Sequence, residues 1–235
     1  MTSIMQRRGS PSNFDNCSGL PLNKMASPLH STSDALRIGL SITRASGAVV
    51  LLHGRGASAE EIVGLAKLIG NESLAFIAPN ATDGTWYPQR FLVPLGLNEP
   101  WLSSALEVVD TLVGEVHAAG LPYERIGLAG FSQGACLALE YAARHPRRYG
   151  FVAGLSGALI GPLETPRPAG DLKQTPILVA CAERDVHIPL PYVERSASTL
   201  SALKAEVTKQ IFPGGSHTIF PNEIEWLSQK AAFTF

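Results

Sequence analysis

Residues 125–144 read RIGLAGFSQGACLALEYAAR. After Arg125 the next residues form a short, continuous apolar run. From Gln133 onward the segment is small and apolar around most of a helix's circumference. Between the two stands Gly130-Phe131-Ser132-Gln133-Gly134. A strand that passes through such a turn into a buried helix holds its central serine in a strained backbone conformation and projects the hydroxyl from the top of the sheet. Side chains in place of the flanking glycines would collide with neighbouring chain. The placement predicts a nucleophile at Ser132, against the plainer reading of a glycine-flanked turn with a helix N-cap serine.

The remaining strands are of the same kind: "GAVVLL" (47–52), "LAFIAP" (74–79), "FVAGLSG" (151–157), "TPILVAC" (175–181) and "EVTKQIF" (206–212). Runs this short and continuous suit strands covered on both faces, and helices between them are what parallel pairing requires. Leu102, Ala105, Leu106, Val109, Leu112, Val113 and Val116 lie on one helical face. Ser58-x-x-Glu61 has capping-box spacing before an expected helix over 59–69. The expected class is therefore α/β, a mostly parallel sheet with helices on both faces. The loop 161–176 reads as a surface excursion too short for a cap domain.

A serine hydroxyl becomes nucleophilic only when a base takes its proton, and in this kind of fold the chain order is Ser, then Asp or Glu, then His. Glu183 and Asp185 directly follow the apolar strand "PILVAC". Asp185 is the better placed, because the turn "ERD" carries it clear of the strand, whereas Glu183 reads as a solvated loop charge. His217 lies in "FPGGSHTI", a glycine-rich turn after the last strand, and is the expected base. His145 ends a helix before Pro146, where a cation suits the dipole. His187 reads as a loop-packing residue, too close to Asp185 in sequence to pair with it and also reach Ser132. His30 and His117 are expected to be solvated, and His53 to buttress the "LHG" turn.

That turn, in "LLHGRGAS" (51–58), has two readings. As Gly54-x-Gly56-x-x-Ala59 it resembles a dinucleotide cradle, which requires an acid at the end of the next strand. Pro79 and Asn80 stand there instead, and the reading fails. The alternative is an oxyanion hole, with one backbone N–H from Arg55 and the other from Gln133, the residue after the nucleophile.

Composition agrees with one enzyme-sized unit. With 235 residues and 45% hydrophobic content the chain can bury one large core, and 19 basic against 20 acidic residues give no field that draws nucleic acid or anionic membrane. Cys17, Cys136 and Cys181 lack the spacing of a zinc site or disulfide framework, so a reducing, cytoplasmic setting is expected. Residues 1–33 are polar and aperiodic and read as a flexible leader, with Met25 a second candidate start; the domain is expected over 34–235. No run approaches a membrane span.

Taken together, "LLHGRGAS", "GFSQGACLALEYA", "AERDVHIP" and "GGSHTI" resemble the phospholipase/carboxylesterase branch of the α/β-hydrolases, which includes acyl-protein thioesterases. The likeness runs from about residue 48 to the C-terminus. It implies a triad of Ser132, Asp185 and His217, oxyanion donors at Arg55 and Gln133, no metal and no organic cofactor. It also implies a small-molecule ester as substrate; the assembly is expected to be a monomer or homodimer, a choice the sequence does not make. In such enzymes the region equivalent to 83–101 borders the acyl pocket, so Trp86, Tyr87 and Phe91 are either pocket walls or plain core. Many relatives carry leucine where this chain has Arg55; its side chain either favours groups bearing an acceptor or negative charge, or lies out in solvent. The expected activity is serine carboxylic-ester hydrolysis on short to medium acyl groups, with thioesters and lysophospholipids as variants. A non-catalytic binding protein on the same fold and a dienelactone-hydrolase-like enzyme are the alternatives.

Overall fold

The apolar runs become strands, most of them buried on both faces; Glu206–Phe212 departs from that expectation, with no fully buried residue. In a computed structural model, which describes residues 29–233, they pair into one seven-stranded sheet: β1 (Leu36–Gly39), β2 (Gly47–Leu52), β3 (Leu74–Ala78), β4 (Ile126–Phe131), β5 (Phe151–Leu155), β6 (Pro176–Ala182) and β7 (Glu206–Phe212). The order across the sheet is β1-β3-β2-β4-β5-β6-β7, and only β1 runs antiparallel to its neighbour. Every residue of β2, β3, β5 and β6 is buried.

Helices α1 (Ala59–Ile62), α2 (Gly64–Ile69) and α6 (Pro221–Lys230) cover one face; α3 (Trp101–Ala118), α4 (Gln133–Arg144) and α5 (Leu190–Ala202) cover the other. The chain thus leaves β2 and β4, which are neighbours, toward opposite faces of the sheet. Their carboxyl ends open a crevice at a topological switch point, where open α/β sheets bind ligands. The "LHG" turn leaves β2 and the serine turn leaves β4 at that point.

Several expectations need correction. β1 has no counterpart among the apolar runs, because a four-residue edge strand alternating half-buried and exposed carries little apolar signal. The helix over 59–69 is broken at Val63 into α1 and α2. The Ser58–Glu61 capping box does not form; the Ala59 amide donates instead to Asn80 Oδ1 at 2.8 Å. The 161–176 loop is not wholly superficial, since Leu172 and Thr175 are buried and Arg167 pairs with buried Glu140 at 2.8 Å.

The expected leader up to residue 28, Met25 and Cys17 lie outside the described residues. His30 is not solvated: it is 2% exposed, accepts from the Thr82 amide at Nδ1 and bonds the Trp86 carbonyl through Nε2 at 2.9 Å. Nε2 therefore carries the proton of a neutral ring, and burial holds this imidazole below its ordinary pKa.

Candidate active site

Ser132 follows β4 with φ 54° and ψ −114°, a backbone conformation that side chains rarely adopt. Two close approaches force the turn. A Cβ on Gly130 would lie 2.3 Å from the Gly134 carbonyl, and one on Gly134 would lie 2.1 Å from the Leu52 carbonyl oxygen of β2. The Ser132 amide donates to Leu155 of β5 at 2.9 Å, which anchors the turn to the next strand as well.

His217 reaches this serine from the loop after β7, and Asp185 reaches His217 from the loop after β6. The imidazole Nε2 lies 2.8 Å from Ser132 Oγ, and Nδ1 lies 2.7 Å from Asp185 Oδ2. Three side chains separated widely in sequence thus stand hydrogen-bonded in series at the carboxyl edge of the sheet. Asp185 is 5% exposed, whereas Glu183 is exposed. Burial pushes the Asp185 carboxyl up, but His217 and the His187 and Ile188 amides outweigh it and leave the group below the ordinary range. Its Oδ1 accepts those two amides at 2.8 and 3.2 Å, which fixes the carboxylate while Oδ2 faces the imidazole.

The loop after β2 meets this chain from the other side. His53 is fully buried; its Nδ1 bonds the Gly54 carbonyl at 2.7 Å and its Nε2 accepts the Ala81 amide at 3.0 Å, the buttressing role expected of it. Gln133 is the first residue of α4, where a backbone N–H has no acceptor within the helix. Its side chain does a different job: Oε1 accepts from the Trp86 amide at 3.0 Å and Nε2 donates to the Tyr87 carbonyl at 2.8 Å. The Arg55 guanidinium is not adrift in solvent. It donates to the carbonyls of Tyr87, Pro88 and Gln89 at 2.9, 3.0 and 2.7 Å.

A cavity of about 460 Å³ opens beside Ser132. Tyr87 and Phe91 line it, as do Phe131, Cys136 and Ile188. Trp86 does not, which corrects its reading as a pocket wall. It is fully buried behind the wall, with Nε1 on the His53 carbonyl at 2.9 Å and its ring between His30 and His53. His187 also departs from expectation: it is exposed at the cavity, its ring 4.8 Å from that of His217. Arg90, His187, Ile188 and Cys136 carry no local sequence signal as site residues, because only the folding of distant loops brings them together.

A parallel sheet with one antiparallel edge strand, helices on both faces, and a serine turn at the central crevice define the α/β-hydrolase fold; no large cap domain stands over it among the described residues. Within that class the chain belongs to the phospholipase/carboxylesterase family, whose model matches residues 34–233. It is similar to a phospholipase/carboxylesterase from Dyadobacter fermentans of known crystal structure, at 40% identity and a TM-score of 0.82 over 86% of this chain and 97% of that one. Among curated proteins it is 27% identical to acyl-protein thioesterase 1 homolog 1 of Dictyostelium discoideum over 80% of this chain and 90% of that protein. It is 30% identical to acyl-protein thioesterase 1 of Gibberella zeae over 46% of this chain, an alignment spanning about half (47%) of that relative. Among the described residues no helix is long and apolar enough to cross a membrane.

Proposed function

We propose that the protein is a serine hydrolase of carboxylic esters. His217 accepts the Ser132 proton as Oγ attacks the ester carbonyl, the oxyanion is held by the Arg55 and Gln133 backbone amides, and Asp185 fixes the imidazole tautomer. Collapse of the tetrahedral adduct breaks the bond to the leaving alcohol, whose oxygen takes the proton from His217. An acyl-enzyme remains on Ser132. Water, deprotonated by the same imidazole, attacks that acyl group and releases the acid and the free serine.

The observation that carries this reading is the series of hydrogen bonds Asp185–His217–Ser132 at 2.7 and 2.8 Å, ending at a serine held in strain. Each oxyanion donor is worth on the order of 3 kcal/mol in the transition state, which makes the β2 loop part of the apparatus. The cavity's modest volume and apolar lining favour short to medium acyl groups, with oxygen esters, thioesters and lysolipids differing in leaving group rather than mechanism. The unpaired, buried thiols of Cys136 and Cys181 suit a reducing cytoplasm.

Ser132→Ala tests the proposal. Hydrolysis of p-nitrophenyl acetate should fall by about 10⁴-fold or more while the thermal unfolding midpoint stays within a few degrees. Wild-type turnover in the folded variant would remove Ser132 from the mechanism, and a wild-type protein inert to every ester would favour a binding protein.

A further inference from the structure

The cavity beside Ser132 carries two fixed positive charges at its lining, Arg55 and Arg90, and no aspartate or glutamate lines it. The chain as a whole carries a formal net charge of −1, so this polarity belongs to the site and not to the molecule. Among the described residues neither arginine has a carboxylate within ion-pairing distance.

Arg55 is held in place by neutral oxygens, and Arg90 faces neutral oxygens only. Arg55 engages three carbonyls of residues 87–89 and lies 6.0 Å from the Tyr87 ring centroid. That leaves two of its five N–H donors for another partner. Arg90 reaches across the cavity from the 83–101 segment and rests loosely, at 3.5 and 3.4 Å, on the carbonyls of Val186 and His187. Backbone carbonyls orient a guanidinium without cancelling its charge, and a fixed, un-neutralised cation recognises a carboxylate or phosphate.

The position of Arg90 also selects the half of the substrate. His217 must protonate the departing oxygen, so the alcohol leaves on the imidazole side. Arg90 is tethered on that side, through His187, whose ring is 4.8 Å from His217. Resting on the reading of the site as a serine esterase, we infer that the preferred substrates are esters whose alcohol half carries an anionic group, bound by Arg90 with Arg55 behind it.

Hydrolysis of acetoxyacetate and of its neutral counterpart propyl acetate, followed in a pH-stat at low ionic strength, tests this directly. The expected result is a kcat/KM ratio of about tenfold or more in favour of acetoxyacetate, shrinking in 0.5 M NaCl as salt screens the rim. Arg90→Gln should cut that ratio about fivefold or more, and Arg90→Lys should retain more of it. A ratio near one in the wild type, or one that Arg90→Gln leaves intact, overturns the inference while leaving the esterase reading standing. So does a preference for an anionic acyl half alone, seen with monomethyl glutarate against methyl pentanoate. If neither acetate ester nor p-nitrophenyl acetate is hydrolysed, the esterase reading falls. Calorimetric titration of acetoxyacetate into the Ser132→Ala protein then decides the anion site on its own: binding weakened by Arg90→Gln supports it, and unchanged or absent binding refutes it.

Discussion

Arg55 and Gln133 hold the same carbonyl. The guanidinium of one and the side-chain amide of the other both donate to the Tyr87 oxygen, at 2.9 and 2.8 Å. The two residues proposed to present their backbone amides to the oxyanion therefore also clasp the pocket wall with their side chains. The pocket wall is thereby tied to the β2 loop and to the start of α4.

Breaking that clasp should cost activity although both backbone donors remain. Gln133→Leu leaves the buried Trp86 amide and one acceptor position of the Tyr87 carbonyl unpaired, a loss of about 1–3 kcal/mol in stability. An accompanying fall in kcat/KM of about tenfold or more is expected, measured by urea unfolding and ester hydrolysis on the same preparation. Full activity in a destabilised variant would uncouple the wall from catalysis.

The serine turn tolerates no side chain at its glycines. Gly134→Ala would place a methyl 2.1 Å from the Leu52 carbonyl oxygen, a contact that only movement of β2 or α4 can relieve. A loss of roughly 4 kcal/mol or more follows, visible as insoluble expression or a collapsed thermal midpoint. A stable, active Gly134→Ala protein would show that α4 does not approach β2 this closely.

Glu223 introduces a pH dependence behind the histidine loop. It is fully buried and its Oε2 accepts the Phe220 amide, three residues past His217, at 2.6 Å. Burial raises its carboxyl to about 7, against the opposing pull of the Phe220 and Ser156 amides. Between the ordinary 4.5 and about 7 the folded chain thus holds a proton that the unfolded chain has released. The stability this group contributes is full below that window and is lost as pH rises through 7. Against Glu223→Gln, wild-type stability should decline by on the order of 3 kcal/mol between pH 4.5 and 8. Urea unfolding of both proteins across that range checks it; parallel curves would contradict it.

The two buried thiols should be silent in the folded protein. Cys136 and Cys181 are buried, and burial pushes the Cys136 thiol up to about 12 and raises Cys181 too. Iodoacetamide at pH 8 should leave both unmodified and ester hydrolysis intact, with rapid labelling only in denaturant. Native labelling of Cys136 with loss of activity would place a reactive thiol at the cavity.

Much of this was legible in the sequence, for identifiable reasons. Continuous apolar runs specify the buried parallel strands. Gly130, Ser132 and Gly134 declare a turn whose backbone geometry admits few alternatives. Asp185 and His217 could be singled out because each follows a strand at the sheet's carboxyl edge, where loops build sites. The misses share one cause, which is that tertiary contact outweighs local pattern. Asn80 displaces Ser58 as the partner of the Ala59 amide. Trp86 and His30 lie in tilted contact behind the pocket wall, where polarity and position alone left one as wall or core and put the other in water. Arg90 and His187 meet only because two loops, far apart in sequence, face each other over the serine.

The central claim is best tested by treating the protein with a fluorophosphonate probe and mapping the adduct by mass spectrometry. One covalent addition is expected, on the peptide containing Ser132, suppressed in His217→Ala because the serine then has no base. Labelling elsewhere, or none on a folded wild-type protein, would contradict it.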